Sequence, residues 1–134
     1  MNDITTVMAE FAIIGENFTK QNITNQLQIE PTEFYSKGDK IKNRDLYRKE
    51  TAWSLATEYE ESLDINLQLN KLISILNDKK EELLKLKRTY NLFYKFFIVI
   101  KIEENETPAI YLDTTTISFA NDLGIEFDFD LYIF

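Results

Sequence analysis

Alternating strand patterns, helical stripes between them and a scarcity of chain breakers predict an α+β fold. Expected is a mostly antiparallel or mixed sheet of four to five strands, with helices packed on one face. The end of the chain carries the first observation: Ile125, Phe127, Phe129, Leu131 and Ile133 alternate with Glu126, Asp128, Asp130 and Tyr132. The second is Ile65, Leu69, Leu72, Ile73 and Leu76 at helical spacing. The third is composition: 3 glycines and 2 prolines in 134 residues leave little room for linkers or a turn-rich β-sandwich. The length fits a single globular domain, 1–134, large enough to bury a core.

The elements follow in the order β-α-β-α(α)-β-β-α-β. Residues 4–14 put Val7, Ala9, Phe11 and Ile13 on one parity and read as a strand ended by Gly15. Residues 17–28 read as a short helix with Ile23 and Leu27 on one face. Pro31 ends it, because the residue before a proline avoids helical backbone. Residues 32–49 form a polar connection, with one strand turn at Phe34-Tyr35. Residues 51–59 alternate Trp53, Leu55, Thr57 and Tyr59 as a strand.

Residues 62–76 form the clearest helix, with Ser62 as its N-cap. Leu83, Leu86 and Tyr90 extend the stripe, either as one long helix or as two bent at Asn77-Asp78. Local side-chain bonding by Asn and Asp favours two. The apolar run in 92–103 predicts a central strand covered on both faces, or one whose outer face meets another element. Residues 108–112 read as a short partner strand begun by Pro108. Residues 114–123 form a helix with threonine caps, closed by Gly124, and residues 125–134 the final strand.

Composition narrows function. With no histidine and no cysteine, disulfides, thiolate metal sites and the commonest acid–base group are excluded. No basic stretch precedes an apolar one at the start of the chain, and Phe96–Ile100 is too short to span a bilayer. A cytoplasmic protein without a membrane segment is expected. Net charge is −8, and residues 92–134 carry most of it, with Lys95 and Lys101 against eight acids. Such a field repels nucleic acid and attracts cationic partners.

The segment Leu27-x-Ile29-x-Pro31-Thr32, followed by Gly38-Asp39 and Trp53-x-Leu55, resembles a bacterial family known as domain of unknown function 4279. Its members open with a strand and short helix and close with a helix leading into a strand that ends near a tyrosine. Leu123-Gly124-Ile125 through Tyr132 matches that close here, so the resemblance covers essentially the whole chain. Gln28 departs from it, standing where the family often has glycine after the leucine. The resemblance implies no settled activity and no catalytic residues. Some relatives resemble immunity or accessory proteins found beside bacterial toxins.

Two constellations are candidates for function. Glu126, Asp128 and Asp130 project to one face of a strand, about 7 Å apart in succession. They suit a basic protein partner or a hard cation, or form an ordinary solvated face. Thr32 and Asp39 with Trp53 would line a small-ligand pocket if the indole floors it; otherwise they serve a helix stop, a turn and the core. The bases Lys37, Lys40, Lys42, Arg44, Arg48 and Lys49 are interleaved with Asp39, Asp45 and Glu50, which leaves little net field. No nucleotide-binding glycine loop and no nucleophile motif are present. The expectation is a non-enzymatic interaction module of inhibitor or immunity type, without cofactor, binding a basic and toxin-like protein, as monomer or homodimer. The alternative is an enzyme or small-ligand sensor using the Pro-Thr loop and Trp53.

Overall fold

The computed structural model describes residues 3–134. The chain runs β1 (Thr6–Gly15), α1 (Lys20–Leu27), β2 (Glu33–Tyr35), β3 (Thr51–Ala56) and β4 (Glu60–Glu61). It continues through α2 (Ile65–Leu76), a 3-10 turn at Asn77–Lys79, α3 (Lys80–Tyr90), β5 (Phe93–Ile102), α4 (Thr114–Leu123) and β6 (Ile125–Ile133). One mixed sheet has the order β2-β3-β1-β5-β6, with the two-residue β4 also on β1. All pairings are antiparallel except β5 with β6, which α4 joins in parallel. The α+β class holds, with all four helices on one face.

That face follows from strand parity. Phe11 and Ile13 of β1, Trp53 of β3, and Tyr94, Phe96, Ile98 and Ile100 of β5 are each at most 1% exposed. The helices lay Ile23, Leu27, Leu69, Leu72, Leu83, Leu86 and Phe119 onto them as one continuous core. Burial of this apolar area is the main stabilising contribution. Three side-chain contacts fix the helices in place. Trp53 Nε1 donates to Thr24 Oγ1 on α1 at 3.1 Å. Tyr94 Oη donates to the Leu83 carbonyl on α3 at 2.5 Å, and its burial raises the phenol pKa well above the usual range. Phe96 meets Phe119 of α4 with ring centres 6.4 Å apart.

Several expectations need correction. Residues 108–112 are not a sheet strand. Ala109 donates to the Leu63 carbonyl (2.7 Å) and accepts from Ile65 N–H (3.3 Å), so the segment straps across the entry to α2. Asn66 holds the rest of the strap: its amide donates to the Tyr111 carbonyl and its oxygen accepts from Asp113 N–H. The N-cap of α2 is Asp64, which accepts from Asn66 N–H at 2.9 Å; the Ser62 hydroxyl bonds Asp64's backbone instead. The α4 cap is Asp113, accepting from Thr116 N–H at 2.8 Å, and not a threonine. The 62–90 stripe, by contrast, is two helices separated by a 3-10 turn that begins at Asn77-Asp78, the alternative the sequence favours. On β5, alternate residues stay half-exposed, so no second layer covers its outer face.

Gln28 ends α1 in the left-handed region, at φ 58° and ψ 39°. A side chain there costs about 1–2 kcal/mol relative to glycine. The Gln28 amide partly offsets this by donating to the Asn25 carbonyl at 2.6 Å. The helix-ending turn therefore keeps the shape a glycine would give it.

Candidate functional site

The opposite face of the sheet is bare. Its centre is made of small residues: Ala12, Ala52 and Ser54, each at most 6% exposed, sit side by side on β1 and β3. Glu10 and Ile14 flank them on β1, Glu33 and Tyr35 on β2, and Phe97 on β5. Small residues between larger ones make a concavity of about 180 Å³, which Arg48 and Glu50 also line. A second depression of about 270 Å³ shares Ile14 and Glu50 with the first and continues through Phe93, Lys95 and Glu126. Together they form a shallow groove across the open face, from β2 to β6.

The loop at one end of the groove is ordered by its own backbone. Gly38 N–H bonds the Arg48 carbonyl at 2.8 Å, and Arg48 N–H bonds the Asp39 carbonyl at 2.7 Å. Gly38 has φ 93°, a conformation that favours glycine. This pairing sets the Arg48 guanidinium 3.9 Å from the centre of the Tyr35 ring, a cation–π contact. Burial raises the Tyr35 pKa; Arg48 opposes the shift, and Glu50, Glu33 and Glu10 add to it.

Glu10 is the only charged residue of β1. Burial raises its carboxyl pKa, the Ser54 hydroxyl opposes this, and Glu33 adds to it. Among the described residues it forms no ion pair. A carboxyl with a raised pKa contributes stability that is fully present below the ordinary carboxylate pKa. That stability is lost as pH rises through the raised value, because the native state holds the proton longer than the unfolded chain. Glu10→Gln is therefore expected to make the protein more stable at neutral pH and to flatten its stability across the mildly acidic range. Thermal melts from pH 4 to 8 check this, and a loss of stability at pH 7 would contradict it.

Glu126, Asp128 and Asp130 also lie on the open face, opposite Lys95, Phe97 and Val99 of β5. Lys95 Nζ reaches Asp128 Oδ2 at 3.1 Å. Asp130 accepts only from the Tyr132 hydroxyl, at 3.3 Å, and Glu126 is in no ion pair among the described residues. Lys101 is turned aside, its ammonium 3.9 Å from the centre of the Tyr59 ring. Carboxylates thus outnumber cations on this face: Glu10, Glu33, Glu50, Glu126, Asp128 and Asp130 stand against Arg48, Lys95 and Lys101. Aromatic rings lie between them, and mixed apolar and charged surface is typical of protein interfaces. Among the described residues, no group of three or more carboxylates is arranged to hold a metal ion.

Thr32, Asp39 and Trp53 are not brought together. Trp53 is 0% exposed on the helix side, so its indole floors nothing on the open face. Thr32 Oγ1 accepts from Ala56 N–H at 3.0 Å, and an Asp39 carboxylate oxygen accepts from Ser36 N–H at 2.8 Å. Each of the three side chains is engaged locally. The residues that do line the groove were partly visible in the sequence. Glu10 is a lone charge in an apolar strand, on the parity opposite Phe11 and Ile13. Nothing local marked Arg48 or Tyr35 as its neighbours.

Other acids, Asp3, Glu61, Glu103, Glu104 and Glu106, line a depression of about 450 Å³ with Ile4, Thr5 and Leu63. No helix among the described residues is long and apolar enough to cross a membrane.

Fold and face together define a two-layer α+β module, with helices behind the sheet and an acidic, grooved sheet surface in front. The chain belongs to the family described as Domain of unknown function (DUF4279), whose model matches residues 5–134. No curated protein and no solved structure matches it.

Proposed function

We propose that this chain is a cytoplasmic bacterial protein-interaction module that binds a basic protein through the open face of its sheet, in the manner of an inhibitor or immunity protein. The observation that carries this reading is the charge of that face. Its carboxylates exceed its cations, and Glu126 and Asp130 form no ion pair among the described residues, since Lys95, opposite Glu126, pairs with Asp128. Like charges along a strand weaken it unless cations from outside compensate. A basic partner supplies them, and association is steered by the opposite fields. The open, shallow groove suits inserted basic side chains better than a whole small molecule, since ligand pockets usually enclose most of a ligand's surface.

The test begins with partner capture from the native host and measures association rates at rising salt. Glu126→Lys with Asp130→Lys is expected to slow association about tenfold or more at low salt, with the two versions converging as salt screens the field. The melting temperature should barely change, because both side chains are exposed and the relief of repulsion from Asp128 is offset by the new lysine opposite Lys95. For the inhibitor reading, the captured protein should be toxic when expressed alone and harmless beside this chain. A rate indifferent to salt and to the double reversal would leave the carboxylates as a solvated surface.

A further inference from the structure

The sheet ends at β6, and the outer edge of this strand is unpaired. Edge strands are usually short, bulged or covered, because a long open edge invites another strand. β6 is nine residues long and pairs with β5 along its whole length without a break. Its two sides differ. Toward the open face it presents Glu126, Asp128 and Asp130. Toward the helix side it presents Phe129 at 43%, Leu131 at 49% and Ile133 at 71% exposure. The helix layer falls short of them: α4 buries Phe119, Ala120 and Leu123, while Ile117 is 52% exposed. Ile117 lies on the flank of α4 away from the Lys80–Asp122 ion pair to α3, as the 100° step per residue requires.

We infer that the β6 edge is a docking strand for an extended segment of the basic partner in which basic residues alternate with apolar ones. This rests on the function proposed above and names how the partner would engage. Unpaired backbone groups of β6 provide main-chain hydrogen bonds, as in strand addition generally. An added strand with the same alternation sets its basic residues beside Glu126, Asp128 and Asp130. Its apolar residues then extend the strip of Phe129, Leu131 and Ile133. Charge argues against a fully overlapped second copy of this chain as the occupant. In a two-fold antiparallel pair centred on Phe129, Asp128 of each copy lies opposite Asp130 of the other, and like charges directly opposite are destabilising.

The experiment uses the full chain and a capped peptide alternating lysine with valine over the length of β6. Binding is read by titration and by amide exchange of residues 125–133. The parent peptide should bind in a salt-dependent way and slow exchange in β6, whereas a glutamate–valine peptide should not bind. Two further versions are N-methylated on alternate residues, one on odd and one on even positions. One of them should bind about tenfold or more weakly and the other like the parent, because only one edge of the peptide donates to β6. Equal binding of both versions would overturn the docking strand while leaving a purely electrostatic acidic face, so the two proposals fail separately. Protection outside β6, or equal binding of the glutamate peptide, would also overturn it. So would a dimer of this chain in sedimentation that protects the same amides, since the occupant would then be a second copy.

Discussion

Replacing Trp53 with alanine is expected to cost about 3–5 kcal/mol of stability. The indole has 0% exposure and sits on the helix side of β3, opposite Phe34 of β2 and Ile13 of β1. Alanine removes this buried volume and leaves a cavity beside β1, β2 and α1. It also removes the indole N–H from Thr24 Oγ1, the one side-chain hydrogen bond among the described residues that ties α1 to the sheet. The loss should appear in urea as a lower midpoint with an unchanged slope, since the same surface is exposed on unfolding. A variant nearly as stable as the parent would refute the core role. If such a variant had also lost a bound small molecule, the Thr32–Asp39–Trp53 pocket would regain its standing.

Trp53 illustrates what the sequence made legible. Its alternation with Leu55 marks the strand, and strand parity in β1 separates Phe11 and Ile13 from Glu10 before any neighbour is known. The α2 stripe and the Gly124 stop are read from residues a few positions apart. What failed depended on distant partners. The strap at Pro108 reads as a strand until Leu63 and Ile65 are seen to take Ala109's hydrogen bonds. The alternation of β6 predicts a buried side, yet only Ile125 (7% exposed) and the half-buried Phe127 receive cover. Whether a helix lies above a strand is decided by packing of the layer, which the strand's own residues do not encode. The groove was hidden for the same reason. Its walls come from β1, β2, β3, β5, β6 and a loop, and only the order β2-β3-β1-β5-β6 makes them neighbours.

Phe96→Ala should cost a similar amount, about 3–5 kcal/mol, and its effect should be unevenly spread over the fold. Phe96 is 0% exposed at the middle of β5. Its ring lies 5.6 Å from Phe11 on β1, 6.4 Å from Phe119 on α4 and 5.6 Å from Phe127 on β6. β1 is paired on both sides, by β5 and by β3 with β4, and lies under α2. β6 has β5 alone, and its cover is confined to Ile125 and Phe127. A cavity at Phe96 therefore removes a large share of what keeps β6 in place and a small share of what keeps β3 in place. Native-state amide exchange should accelerate most in residues 125–133, through local opening that leaves β1 and β3 protected. If β6 is the docking strand, the folded variant must order it on binding, so affinity should fall even at temperatures where the variant is fully native. Phe96→Leu keeps most of the volume and should cost under about 1.5 kcal/mol, with exchange in β6 close to the parent. Acceleration spread evenly over all strands would show that β6 is held by the sheet as a whole, and the link from the Phe96 core to a dockable edge would fail.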